Sequence, residues 1–247
     1  AEKELLFSTL VAIARNPGPD LKETFILCVI NNKKNVPQTI RQNNQQTMQY
    51  LDLLIAGKKP DDCDSACVSA QEAHILRDAG LNIGYIDASS PGLEIPDKTG
   101  GVGMARKIGM DMALRLFPKD DYQRRLIISL DADTLVDDNY LREIQNYFQR
   151  KISTAVVAYE HQNPELPAAR DAICCYEIFL RYWVMGLRYA DSPYAFHSIG
   201  STIVCTADAY LAVRGMNRRE AGEDFYFLNK LAKTGQIKIF ARFPSVH

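Results

Sequence analysis

Asp131 and Asp133 stand one residue apart at the end of an apolar run, Leu126-Ile127-Ile128-Ser129-Leu130. A run of that kind reads as a buried strand, expected to be parallel to its neighbours. Buried carboxylates are costly unless they are paired or bound to metal, so both belong where the chain leaves the sheet. Two carboxylates at a strand end suit a hard divalent cation, which takes oxygen ligands. Asp62-Cys63-Asp64 has the same spacing but follows the polar run Lys58-Lys59-Pro60-Asp61, with no strand before it, and is read as a surface loop. A second candidate is the glycine-rich turn Gly100-Gly101-Val102-Gly103, which leads into a helix carrying Arg106 and Lys107. Glycines there let a phosphate approach helix amides. Cations at a helix start oppose its dipole, so either an anionic partner or a solvated basic face accounts for them. The turn is neither a dinucleotide fingerprint nor a P-loop, since no Gly-Lys-Ser/Thr follows. The third candidate is Glu223-Asp224 at the start of another helix, where acidic residues are also ordinary stabilisers. Asn31-Asn32 closes an apolar strand and could contact a base or ribose, or simply form a turn.

The elements that must position these groups follow from apolar spacing. Helices are expected over residues 2–14, 35–57, 69–80 and 104–117, then after Asp137, over 170–190, after Thr206 and from Glu223. Asn35 with Gln38 and Ser69 with Glu72 read as capping boxes. Strands are expected at 25–30, 81–86, 126–130, 154–159, 201–205 and 237–243. Residues 87–101, rich in Gly, Pro and Ser, are the candidate mobile loop. The segment 170–190 carries Tyr176, Phe179, Tyr182, Trp183 and Tyr189 with Arg181 and Arg188 between them. It reads mainly as core, with a sugar-stacking or membrane-surface face as the alternative. Alternation of strands and helices points to one α/β domain over 1–247 with an open, mostly parallel sheet.

A chain of 247 residues can bury an ample core without disulfides. Its formal net charge of −1 gives no sign of a nucleic-acid or an anionic-membrane partner. Of the six cysteines, Cys28, Cys174, Cys175 and Cys205 lie in apolar surroundings and are expected to be core thiols, which favours a reducing compartment. A cytoplasmic location is therefore expected, with the inner face of a membrane as a variant. Neither a signal peptide nor a membrane-spanning run is visible.

Five stretches stand in order: Gly101-Val102-Gly103-Met104-Ala105-Arg106-Lys107-Ile108-Gly109, Ser129-Leu130-Asp131-Ala132-Asp133, Gly200-Ser201, Gly215-Met216-Asn217 and Gly222-Glu223-Asp224-Phe225. Together they resemble a family 2 glycosyltransferase of the GT-A fold, over roughly residues 25–240. The resemblance implies a nucleotide-sugar donor, a hydroxyl acceptor on a saccharide, lipid-linked or small molecule, a divalent metal (Mn²⁺ or Mg²⁺), and transfer that usually inverts the anomeric centre. It implies that Asp133 binds the metal and that Asp131 lies near the ribose or metal. Arg106 and Gly103 would help hold the donor nucleotide, and Gly200 and Ser201 the donor sugar and acceptor. Asp224, beside Glu223, would be the general base.

Where such enzymes begin with a strand ending in a base-binding turn, this sequence begins with a helix. Phe25–Ile30 then reads as a second strand, with Asn31 where an aspartate is common. The expectation is a GT-A domain cut at both ends and lacking its first strand. His247 is a candidate third metal ligand, His197 a candidate acceptor contact, and His74 and His161 are read as surface residues. Two other classes compete. A nucleotidyltransferase would need an amino-terminal glycine-rich loop with a basic residue, which is not seen. A carbohydrate- or nucleotide-binding protein would bind without turnover.

Overall fold

The computed structural model describes residues 3–58, 69–98, 100–219 and 221–246. Asp62, Asp64 and His247 lie outside the described residues.

The amino-terminal half is α1 (Lys3–Ala14), α2 (Gly18–Lys22), β1 (Phe25–Asn31), α3 (Gln38–Ile55), α4 (Ala70–Asp78) and β2 (Asn82–Ala88). β1 and β2 are parallel, with Phe25 opposite Asn82 and Asn31 opposite Ala88. Next come α5 (Val102–Leu116), β3 (Leu126–Ile128), α6 (Tyr140–Phe148), β4 (Thr154–Tyr159) and α7 (Pro167–Tyr189). A 3₁₀ turn at Gly200–Thr202 leads into β5 (Ile203–Thr206), followed by α8 (Ala207–Ala212), α9 (Glu223–Thr234) and β6 (Lys238–Val246). The class is α/β, but the sheet is not one mostly parallel layer. β1 and β2 form a pair, and the other strands form a mixed sheet in the order β3-β5-β4-β6.

The strand before Asp131 differs most from expectation. It is three residues long and runs antiparallel to β5, with Ile127 opposite Cys205. β5 is also antiparallel to β4, and β4 is parallel to β6. An apolar run identifies a buried strand but carries no information about its partner's direction, which tertiary packing decides.

Alternation along the strands sends side chains to two faces. Val156, Ile203 and Cys205 face a core built with Met110 of α5, Tyr210 of α8 and Phe227, Leu228 and Leu231 of α9. Val157 and Val204 face the opposite core, with Ala12 and Ile13 of α1 and Tyr140, Leu141 and Ile144 of α6. Ile26 of β1 packs into that second core beside Leu126 and Ile128 of β3. Further α1 residues, Phe7, Leu10 and Val11, join Tyr50 and Leu51 of α3 over Cys28, Ile30 and Ile83. One helix therefore packs against both sheets.

Local signals decide several boundaries. Ser69 and Glu72 form the expected capping box, and Thr206 accepts from Ala209 N at 3.2 Å. Asn35 caps nothing: α3 begins after Pro37, without a side-chain cap. α6 starts after Asn139 rather than Asp137, again without one. The loop after β2 is held at Ile95, whose N–H donates to Asn32 O at 3.1 Å. The long aromatic helix is not core. Of α7, only Val184 is buried, and Cys174 and Cys175 are exposed. Cys28 and Cys205 are buried, and burial pushes both thiols up to about 12.

No helix of the described residues is long and apolar enough to cross a membrane.

Candidate functional site

The antiparallel pairing of β3 and β5 creates the site. Chain leaving β3 and chain entering β5 must lie at the same sheet edge. Ser129 N donates to Ile203 O at 2.9 Å, so Asp131 and Gly200 share that edge. β4, on the other side of β5, runs in the same direction as β3, and its end at Tyr159 brings His161 and Gln162 there as well. Gln162 Nε2 donates to the backbone oxygen of Asp133 at 3.3 Å.

Arg106, in the second turn of α5, reaches into this edge. Its Nη2 contacts Asp131 Oδ1 at 2.5 Å, and its Nη1 donates to Glu223 Oε1. The guanidinium and Glu223 are both largely buried, whereas the Asp131 side chain is 36% exposed. Two glycines permit this approach. A methyl group on Gly200 would overlap the Arg106 guanidinium. A Cβ on Gly103 would lie 2.6 Å from Arg219 O and 2.8 Å from Glu223 Cγ. Gly222 adopts a left-handed φ of 67° as it turns the chain into α9, which glycine does at no steric cost. Arg106 Nε is buried with no acceptor among the described residues. A buried donor left in this way is unusual.

Gly103, Arg106, Asp131, Gly200 and Glu223 are thus one contiguous set. Asp133 is exposed two residues beyond Asp131. Asp224 follows Glu223, and its Oδ1 accepts from Phe225 N at 2.7 Å. Ser201 is buried in the turn after Gly200. Asn31 ends β1 away from these contacts, and its backbone oxygen accepts from Asn44 Nδ2 at 3.4 Å. Lys107 pairs with Asp111 at 2.9 Å, which explains that cation without a ligand.

Beyond β1 and β2 lies a cleft of ≈ 270 Å³ lined by Gln38, Arg41, Gln45, Ser89, Ser90 and Pro91. Asp87, at the end of β2, accepts from Ser89 N and Ser90 N, both at 2.9 Å. Burial alone would raise its carboxyl, but hydrogen bonds from Ser90 and Ser89 outweigh it and hold the group below its ordinary range. The sequence reading passed over Arg41, Asp87 and Ser89. Asp87 and Ser89 stand at the carboxyl edge of β2, which was the available signal; Arg41, on α3, carried none.

A second polar group borders the edge. Tyr159 OH and His197 Nδ1 are 3.1 Å apart, and Arg181 lies 5.8 Å from the Tyr159 ring centre. His161 is not a free surface residue: its N–H donates to Glu177 at 2.7 Å and its ring lies 3.0 Å from the same oxygen. Burial first, then the charges of Arg181 and Arg188, hold His197 below its ordinary value. His74 is a surface residue as expected, paired with Asp78.

A further network supports the Gly215-Met216-Asn217 turn. Tyr210 OH donates to Asp111 Oδ1 at 2.7 Å and accepts from Met216 N at 3.2 Å. Lys230 Nζ donates to Val213 O at 3.0 Å and to Gly215 O at 2.5 Å. Desolvation, then the nearby Lys107, lowers the Lys230 pKa. The turn leads on toward α9, which opens on Glu223 and Asp224.

No protein-family model matches the chain, and no curated protein matches it significantly.

Proposed function

We propose that this chain is a glycosyltransferase of the family 2, GT-A type, moving a sugar from a nucleotide-diphosphate donor to a hydroxyl acceptor. The observation that carries the reading is the Arg106 clasp. Motifs at 103–106, 131, 200 and 223, far apart in sequence, meet in one contact set at a sheet edge. Ligands of open α/β sheets bind beyond strand carboxyl ends.

Each residue has a separable part. Asp131 and Asp133 present oxygen ligands, one partly exposed and one exposed. Among the described residues no three His, Cys, Asp or Glu side chains converge. A hard divalent ion fits such a pair when phosphate oxygens and water complete its shell. When bound, a Mn²⁺ or Mg²⁺ ion offsets the negative charge that grows on the departing diphosphate. Glu223 anchors Arg106, and Arg106 in turn steers the Asp131 carboxylate. Asp224 takes the proton of the acceptor hydroxyl as that oxygen bonds to the sugar carbon and the nucleoside diphosphate leaves. The acceptor attacks opposite the leaving group, so the configuration inverts. The cleft over Gln38, Arg41 and Ser89 is the place for the nucleoside in this reading.

A thermal-shift screen of nucleoside diphosphates and their sugars, with and without Mn²⁺ or Mg²⁺, tests the reading. At least one nucleotide sugar should raise the melting temperature, and more so with metal. At ligand a hundredfold above Kd the stabilisation is about 2.7 kcal/mol. A flat response to every donor in both metals would contradict it.

A further inference from the structure

α7 turns most of its surface to solvent. Ile173, Glu177, Leu180, Val184 and Leu187, spaced four, three, four and three, form its inward face. The opposite face carries Ile178, Phe179, Tyr182, Trp183, Met185 and Tyr189, each more than half exposed, with Tyr189 at 96%. Soluble surfaces rarely leave so continuous an apolar stripe uncovered.

Charge indicates what covers it. Arg170, Arg181 and Arg188 are spaced by 11 and 7 residues, about three turns and two turns, so they share one flank of the helix. Over the whole helix the acidic residues are Asp171 and Glu177, and Glu177 faces inward, bound to His161 and Arg181. Arg188 makes no ion pair among the described residues. Aromatic rings with polar edges, aliphatic side chains and a basic flank are the composition of a helix lying in a membrane interface. A second copy of the chain would bring the same arginine flank, and the outward-facing acid on this helix is Asp171 alone.

We infer that the outer face of α7 docks on an anionic lipid surface, with the helix lying in the interfacial plane. The proposal does not depend on sugar transfer. It sets α7 and the preceding Gln162 so that the edge carrying Asp133 stands close to the bilayer.

Trp183 is the chain's one tryptophan, so its fluorescence reports on this face directly. Phosphatidylcholine vesicles containing phosphatidylglycerol should shift its emission to the blue and carry the protein down on sedimentation. Phosphatidylcholine alone should bind more weakly, and added salt should weaken the anionic binding. Arg188→Gln should reduce partitioning about five-fold, the effect of one cation at an anionic surface. Phe179→Ser with Tyr182→Ser should reduce it by about ten-fold or more, from the lost apolar contact. Circular dichroism should be unchanged in both variants, since these side chains face outward. Absence of any shift or co-sedimentation with anionic vesicles overturns the proposal. So does binding that survives both variants, or a blue shift that needs no vesicles and tracks dimer formation in sedimentation velocity.

Discussion

Arg106 is the residue on which the site turns. Its guanidinium joins Asp131 and Glu223, and Gly200 leaves room for it. Breaking a buried ion pair by removing one partner costs about 3–5 kcal/mol, because the other charge is stranded. The glycine offers a milder test. Gly200→Ala should destabilise the protein by about 1–3 kcal/mol through overpacking against the guanidinium. Gly186 is the control, since an added Cβ meets nothing within 4 Å. Gly186→Ala, in mid-helix, should be neutral or stabilising by up to about 1 kcal/mol. Urea unfolding of the two variants checks both. Equal stability would show that the Arg106 contact is not tightly packed. These residues were legible singly in the sequence, as a strand-end carboxylate, a helix-start cation and isolated glycines. That the Gly-rich turn with Arg106, the Asp131/Asp133 pair and Glu223-Asp224 could meet at a sheet edge, with Asn31, was open to the sequence; which atoms touch was not, because contact needs the three-dimensional path of four separate segments. Glu223 shows the difference: beside Asp224 it read as part of a catalytic pair, whereas its burial and its bond to Arg106 make it an anchor.

At the scale of elements, type was easier to read than partner. The apolar run of β5 is buried at all four positions, and the capping box at Ser69 stands where its residues indicate. The direction of β3 was not readable, since an apolar run is the same in a parallel and an antiparallel neighbourhood. Yet that direction is what brings Gly200 to Asp131. α7 was misread because apolar and aromatic residues serve a core and an interface alike, so density alone could not separate the two. Capping gives a test of local signals. Thr206 bonds to Ala209 N, whereas Asn139 at the start of α6 makes no side-chain cap. Thr206→Ala should therefore cost about 0.5–2 kcal/mol in denaturant unfolding. Asn139→Ala should cost only a few tenths, within the usual range of about ±0.5 kcal/mol for surface changes. Equal losses would mean that the Thr206 hydroxyl contributes nothing as a cap.

The whole molecule is a mixed sheet and a parallel strand pair covered by helices, with α1 packed against both. Its α/β class was readable from the alternation of strands and helices, and its division into two sheets was not. The Arg106 clasp with its carboxylates lies where β3 ends and β5 begins, and the cleft lies beyond β1 and β2. A transferase needs two different jobs from its carboxylates there, and a pair of variants separates them. Asp133→Asn should weaken the metal-dependent, donor-induced thermal shift. Asp224→Asn should keep that shift but lose about 10²–10⁴-fold in nucleoside diphosphate release from the donor, the usual contribution of a general base. The most direct measurement is that release rate for Asp224→Asn, beside its donor-induced shift. Retained donor binding with turnover lost is the predicted result, and full turnover by Asp224→Asn would contradict the account.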